Sequence, residues 1–437
     1  MTSNSRIQGY HIVIDNGSSK PNKGSLKVAI VSDETGELLF SSGNVNDETL
    51  NEVCPEGFTC TLDYVYGFVT NIIKYVGLAR NKINRLAPEN RILTGIALLV
   101  PCQVVNNGTG IIANLVDKQG NKLTNVNWNL IIPKLRESGR ISMLDENSFR
   151  FVVANDICGA AARIAQIMAN NTSYDNRFGT GFYATVVMAG GGCGGAHIKV
   201  YDELIQIEAI EPGMTRSFTV NNHIEGYGAS GYAILNNFAE ALGLSKEGSL
   251  AIKYIGNARI ATQYIVNLNK YSHESYLFRN SGLFDEIGNN DSLSSFKLKN
   301  ITEEAHTKAC KKAVDTFIDA IGQIAAIRVT DLINMFILTG PLAAAIKERL
   351  GIIKEYHNTR IEDLIWNRTK LYLNPNTVST AESNGFQIIC ETNIPDNTVG
   401  GSLLLKSNVI GHGLRGSWFD IPIQEFKTSC TAFNADN

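Results

Sequence analysis

The sequence predicts an α/β protein of two domains laid out to one plan. Three observations carry that reading. The chain has 437 residues, more than a single hydrophobic core ordinarily serves. A strand, a glycine-bearing loop and two further strands occur at residues 11–42 and again at 183–210. Each stretch is followed by apolar runs that pass straight into helices, as strand-to-helix units of an α/β fold do. A duplicated domain produces that echo, and no helical or solenoid repeat competes with it.

The elements follow in order. "HIVID", "LKVAIVSD" and "LLFSS" read as an antiparallel meander, joined by the loop "NGSSKPNKGS" and the tight turn "ETGE". Residues 60–85 have a helical pattern, and "ILTGIALLVPCQVV" is a buried strand ending at Pro101. "TNVNWNLIIPKLRES" is a loop running into a helix. "FVVA" from Phe151 lacks polar alternation, as a strand buried on both faces does. It stops at Asn155-Asp156 and enters a helix carrying Ala160, Ala161, Ala162, Ile164 and Ala165. "YATVVMAGGGCGGAHIKVYDELIQIEAIEPG" reads as strand, glycine loop, strand, turn, strand. Residues 231–330 are mainly helical, with an Asn/Ser-rich surface insertion at 278–297. "MFILTGPLAAAIKERL" is a buried strand, a Thr-Gly turn and a helix.

Composition excludes several classes. With 44% hydrophobic and 19% charged residues and a net charge of −3, the chain is globular and carries no basic footprint for nucleic acid or an anionic membrane. No apolar run is long enough to span a bilayer, and "MTSNSRIQGYHIVID" lacks the layout of a signal peptide. The eight cysteines, at 54, 60, 102, 158, 193, 310, 390 and 430, form no CxxC pair and no zinc spacing. Reduced thiols in a cytoplasmic protein are the expectation.

Three stretches point to chemistry. Asp156 stands where a strand becomes a helix, and two readings are open: a helix N-cap, or a carboxylate at the carboxyl end of a strand, where open α/β sheets bind ligands. "GGGCGG" at 190–195 satisfies G-x-G-x-x-G, yet a strand follows it rather than the helix a dinucleotide turn requires. A glycine hairpin of this kind can still turn the backbone N–H groups around Gly190, Gly191 and Gly192 towards phosphate oxygens. "IDNGSS" has the same design: Asp15 suits a water-coordinated magnesium ion, and the Gly17-Ser18-Ser19 turn suits phosphate. No P-loop sequence occurs in the chain.

Taken in order, "IDNGSS", "LTNVNW", "VVANDICGAA", "VVMAGGGCGGAHI", "IEPGM", "ASGYA" and "FILTGPLA" resemble the bacterial glucokinase group, related to the ROK (repressor, open reading frame, kinase) sugar kinases. These belong to the superfamily that joins sugar kinases to actin and Hsp70. The matching residues span about 15–345, and "VGGSLLL" near 399 resembles the family's final helix. The resemblance implies two actin-like (ribonuclease H-like) domains with mixed sheets and a central cleft. A small domain would cover 1–154 plus a C-terminal helix at about 400–415, and a large domain 155–405, leaving the tail 416–437 without an assigned role.

The resemblance also implies roles. Asp156 would be the general base, Asn155 would bind a neighbouring hydroxyl, and Asn125 and Glu211 would bind the sugar. Thr339 and Gly340 would lie near adenosine. Asp15 with Gly17, Ser18 and Ser19, and Gly190 to Gly192, would serve ATP and its magnesium ion. The departures fall mostly on sugar recognition. Gly17-Ser18-Ser19 replaces the usual Gly-Gly-Thr, Met214 stands for a histidine, and Gly226 for a second sugar-binding glutamate, with Glu225 one residue away as a substitute. The ROK zinc cluster is absent, so no structural zinc is expected.

The implied activity is ATP-dependent phosphorylation of a hydroxyl on a hexose or sugar-like molecule, a step of carbohydrate metabolism, with an altered sugar pocket. A non-catalytic sugar or nucleotide sensor on the same fold is the alternative. ROK repressors carry an N-terminal helix-turn-helix; with about ten residues before the first strand here, DNA binding is not the expectation. The expected partner is therefore a small molecule, without nucleic acid or membrane, and a homodimer is compatible with the resemblance.

Overall fold

The computed structural model describes residues 8–16, 26–42, 69–73, 91–101, 103–105, 109–111, 126–127, 130–137, 149–170, 178–190, 192–241, 303–350, 353–392, 397–413 and 416–427. The strands are β1 (Gln8–Asn16), β2 (Leu26–Ser32), β3 (Leu38–Ser41), β4 (Arg91–Val100), β5 (Gln103–Val105), β6 (Thr109–Ile111), β7 (Val126–Asn127), β8 (Arg150–Asn155), β9 (Tyr183–Ala189), β10 (Cys193–Tyr201), β11 (Leu204–Ile210), β12 (Met335–Thr339), β13 (Gln387–Cys390), β14 (Val409–Gly413) and β15 (Gly416–Pro422). The helices are α1 (Ile131–Glu137), α2 (Asp156–Asn170), α3 (Gly231–Ala241), α4 (Glu303–Thr330), α5 (Pro341–Arg349), α6 (Ile361–Lys370), α7 (Pro375–Ser383), α8 (Asn397–Leu404) and α9 (Ile423–Lys427).

The duplication expected from the sequence is present in the strand order. One sheet runs β3-β2-β1-β4-β8; the other contains β11-β10-β9-β12-β13, the same plan of third, second, first, fourth and fifth strand. In the first sheet β1 is antiparallel to β2 and parallel to β4, and β4 is parallel to β8. In the second, β12 lies parallel to both β9 and β13. Sequence pattern follows position. All five residues of β12 are buried, as a central parallel strand requires, whereas β11 alternates buried Ile205, Ile207 and Ala209 with partly exposed neighbours.

The second sheet continues past β11 into β15 and β14. This corrects the C-terminal expectation. The helix stops at Leu404 instead of running to about 415, and the tail 416–437 opens with β15, paired antiparallel to β11 from Leu204↔Pro422 to Glu208↔Trp418. The turn is fixed by polar groups: the Asn408 N–H donates to the Asp420 carbonyl (2.8 Å), and the Ser407 hydroxyl donates to Val409 O (2.6 Å). Gly411 lies under the Trp418 ring, which leaves no room for a side chain.

The chain divides into two compact units, one of residues 1–182, 196–210 and 394–437, the other of 183–195 and 211–393. The junction at 154/155 that the sequence suggested as a domain boundary falls within the first unit. There α2 and α8 cross closely, and glycines make the crossing possible. A Cβ on Gly159 would lie 2.9 Å from the Asn397 carbonyl, and one on Gly400 would strike the Gly159 carbonyl. His11 in β1 holds α8 through Ser402 (2.7 Å) and sits 3.2 Å from Asp33. A carboxylate only accepts, so Nε2 carries the proton and Nδ1 of the neutral ring accepts from Ser402.

In the second unit α4 supplies the core, with Phe317, Ile321 and Ile324 buried together with Phe336, Leu338 and Ile365. No helix among the described residues is long and apolar enough to cross a membrane. The insertion at 278–297, most of the 60–85 segment, Asn125, Gly17, Ser18, Ser19 and Gly191 lie outside the described residues.

Candidate active site

The first unit assembles one group of sequence-predicted residues. Asp15, near the end of β1, pairs with Leu99 of β4, and Leu99 with Ala154 of β8. Asp15 and the Asn155-Asp156 pair therefore lie at the carboxyl ends of parallel strands, two strand spacings or about 10 Å apart. Asp15 is 5% exposed and Asn155 6%. The side chain that caps α2 is Asn155, whose Oδ1 accepts from the Ile157 N–H at 3.1 Å, while Asp156 is the first helical residue. The carboxylate of Asp156 stands in the first turn of α2, where the backbone dipole favours negative charge.

The second unit assembles the other group. The glycine hairpin leaves β9 at Gly190, whose N–H donates to Gly192 O (2.9 Å) and whose carbonyl accepts from the Gly231 N–H (2.8 Å) at the start of α3. Thr339 is in register with Met188 of β9, which brings the Thr339-Gly340 turn next to the hairpin. Among the described glycines of this site, Gly340 has a positive φ, +99°, and Gly190 and Gly192 do not. A Cβ on Gly340 would press into the Ala189 carbonyl oxygen, while Pro341 in the first turn of α5 fixes the helix start.

Two carboxylates lie against this hairpin. Glu225 accepts from the Cys193 N–H at 3.3 Å, and a Cβ on Gly192 would stand 3.3 Å from its Oε1. Gly213 packs on both, since its Cβ would be 2.7 Å from Cys193 O and 2.8 Å from Glu225 Oε2. Gly213 is the glycine of "IEPGM", and this contact is what requires a glycine there. Glu211 precedes the 3-10 turn Pro212–Met214, and Glu225 begins a π-turn, Glu225–Ala229. Burial, then the charge of Glu225, push the Glu211 carboxyl up to about 7. Burial also raises Glu225, opposed by the Cys193 N–H and His223. The Cys193 thiol, buried beside both glutamates, is pushed far up and is chemically inert.

The structure thus brings together Gly190, Gly192, Glu211, Glu225, Thr339 and Gly340 in the second unit, and Asp15, Asn155 and Asp156 in the first. At 226, where the resemblance places a second sugar-binding glutamate, a Cβ would face Asn222 at 2.9 Å. The carboxylate one residue earlier is the one that meets the hairpin. Met214 is 56% exposed, and its carbonyl lies 2.6 Å from His223 Nδ1.

No family model matches the chain, and neither does any curated protein sequence. Solved structures do match. A glucokinase from Balamuthia mandrillaris, in complex with glucose, aligns with a TM-score of 0.50 at 12% identity, over 92% of this chain and 95% of that one. A ROK family transcriptional regulator, a homolog of the E. coli MLC protein, gives 0.50 at 12% identity, over 91% of this chain and 77% of that one. At such identities the likeness concerns architecture, and the duplicated sheet order agrees with it: this chain has the actin-like fold of that glucokinase and that ROK family regulator.

Proposed function

We propose that the protein is an ATP-dependent kinase acting on a hydroxyl of a sugar or sugar-like molecule. A glucokinase and a transcription regulator share the fold, so the residues have to decide between transfer and sensing. The observation that carries the reading is Asp156: a carboxylate at the carboxyl end of β8 whose helix is capped by its neighbour Asn155. Phosphoryl transfer asks a protein for positioning, charge stabilisation and one acceptor for the hydroxyl proton. A sensor has no use for that acceptor.

In this reading Asp156 takes the proton as the acceptor oxygen bonds to the γ-phosphorus, and the bond to the β-phosphate oxygen breaks to release ADP. The glycine loop at Gly190 and Gly192 and the Thr339-Gly340 turn hold the nucleotide, and Glu211 and Glu225 hold acceptor hydroxyls. Asn125, and the Gly17, Ser18, Ser19 and Gly191 backbone, complete the two binding sets as the resemblance implies. Magnesium fits the residues present. It binds through water, one or two carboxylates and the phosphates, and Asp15, buried at the strand end, is one such carboxylate. Among the described residues no group of three metal-binding side chains offers another arrangement. When bound with ATP the ion neutralises charge on the transferring group. The test is a screen for acceptor-dependent ADP formation over sugars, amino sugars and cyclitols.

A further inference from the structure

Between the two glutamates the chain forms a strap, residues 215–224. Its base is closed by the Ile224 N–H donating to Thr215 O (2.8 Å), by the Arg216↔His223 bridge, and by the Ser217 N–H donating to Asn222 O (2.9 Å). Closing this base is what returns Glu225 to the side of Glu211. The tip is exposed, with Phe218 at 56% and Val220 at 40%, so it cannot hold itself by burial.

One side chain of α4 holds it instead. Gln323 is wholly buried. Its Oε1 accepts from the Phe218 N–H (2.7 Å) and the Ser217 hydroxyl (2.9 Å), and its Nε2 donates to Thr219 Oγ1 (3.2 Å) and Asp319 Oδ2 (3.0 Å). Asp319 in turn accepts from the hydroxyls of Tyr227 (2.9 Å) and Tyr372 (2.7 Å). Tyr227 belongs to the π-turn that begins with Glu225, and the Phe218 ring packs on Tyr372 with centroids 5.5 Å apart. Accepting twice and donating twice at one point is what a primary amide does and a carboxylate cannot.

We propose that Gln323 is a positioning residue for the Glu211–Glu225 pair. Its amide fixes the strap tip, and through Asp319 and Tyr227 the turn bearing Glu225, so that the spacing of the two carboxylates is set from α4. The consequence for acceptor binding rests on the kinase reading; the spacing itself does not.

The test uses the full chain and three variants: Gln323→Glu, the exchange Gln323→Glu with Asp319→Asn, and Ser217→Ala in the strap. Carbon-13 carboxyl NMR, assigned with Glu211→Gln, follows the titration of Glu211, and acceptor KM and ATP KM are measured in parallel. A slack strap lets the carboxylates part and hydrate, so Gln323→Glu should lower the Glu211 midpoint by about one pH unit or more. Acceptor KM should rise about tenfold with ATP KM unchanged, as expected for a misplaced hydrogen-bonding pair. The exchange variant, which restores a donor facing the new carboxylate, should recover most of both, and Ser217→Ala should give a smaller shift in the same direction. If Gln323→Glu does not fold, the Ser217→Ala titration decides. A Glu211 midpoint unmoved in the folded variants overturns the proposal even if kinase activity is found. A shifted midpoint sustains it even if no acceptor is phosphorylated.

Discussion

Glu225→Gln is the most informative single change at the carboxylate pair. The amide oxygen can still accept from the Cys193 N–H, so the hairpin keeps its 3.3 Å contact while the charge is removed. Glu211 is held near 7 by burial first and by the Glu225 charge second. Removing the second cause should lower its midpoint by about one pH unit, equivalent to ~1.4 kcal/mol, and burial should keep it above the ordinary carboxylate range. On the kinase reading a charged hydrogen bond to the acceptor should also be lost, which costs about 1.5–3 kcal/mol and should raise acceptor KM by roughly one to two orders of magnitude. The assay is coupled ADP release, with kcat/KM for the best acceptor recorded from acid to alkaline pH. In the wild type the rise should centre near 7, where Glu211 ionises. In the variant the curve should be lower and its midpoint displaced to acid, with ATP KM unchanged. A midpoint that stays in place, or an ATP KM that rises as much as the acceptor KM, would refute the pairing of the two glutamates in acceptor binding.

Asp156→Asn should fold and bind ATP, measured by calorimetry, yet lose about 10²–10⁴-fold in kcat, the range for a general base; wild-type turnover would reduce Asp156 to a helix-start residue. Gly340→Ala adds a Cβ against the Ala189 carbonyl at a φ of +99°, so unfolding should come about 2–4 kcal/mol earlier and nucleotide affinity should fall with it. Unchanged stability by denaturant titration would contradict the turn geometry. Glu211 also links stability to pH. Its folded pKa is raised from 4.5 to about 7, so the stabilisation it gives is fully present below 4.5 and is lost as pH rises through about 7. Glu211→Gln should therefore gain stability relative to wild type on going from mildly acid to mildly alkaline solution, and a constant difference would be the contrary result.

Much of the architecture was legible because its strands are of kinds that leave marks. "MFILT" is an apolar run because β12 is flanked in parallel by β9 and β13, and "FVVA" because β8 runs parallel to β4 with Val152, Val153 and Ala154 buried; Asn155 and Gly340 end them with a cap and a positive-φ turn. Which of Asn155 and Asp156 does the capping was not legible, since both residue types cap helices well. The C-terminal strands were missed for a different reason. Val409 and Ile410, 52% and 41% exposed, sit on a short edge strand, and its neighbour β15 is defined by pairing with β11, some two hundred residues away in sequence. Glu225 shows the limit of spacing arguments. It begins a π-turn, whose wider winding sets which of two adjacent residues faces the hairpin, and local sequence does not announce such a turn. The strap and Gln323 were invisible because their contacts join segments about a hundred positions apart.

The central claim is that this chain transfers a phosphoryl group, and product analysis tests it most directly. Wild-type protein and Asp156→Asn are incubated with ATP, magnesium and each of a panel of sugars, amino sugars and cyclitols, and the acceptors are analysed by mass spectrometry for an added phosphoryl group. With Met214 where the resemblance places a histidine, and the second carboxylate moved by one residue to Glu225, glucose should be a poor acceptor, a missing contact costing about 1–3 kcal/mol. The account predicts that at least one modified sugar or cyclitol is phosphorylated more efficiently than glucose, and that Asp156→Asn abolishes most of that product. Sugar and ATP binding without any phosphorylated acceptor across the panel would contradict it and leave a sensor on a kinase fold.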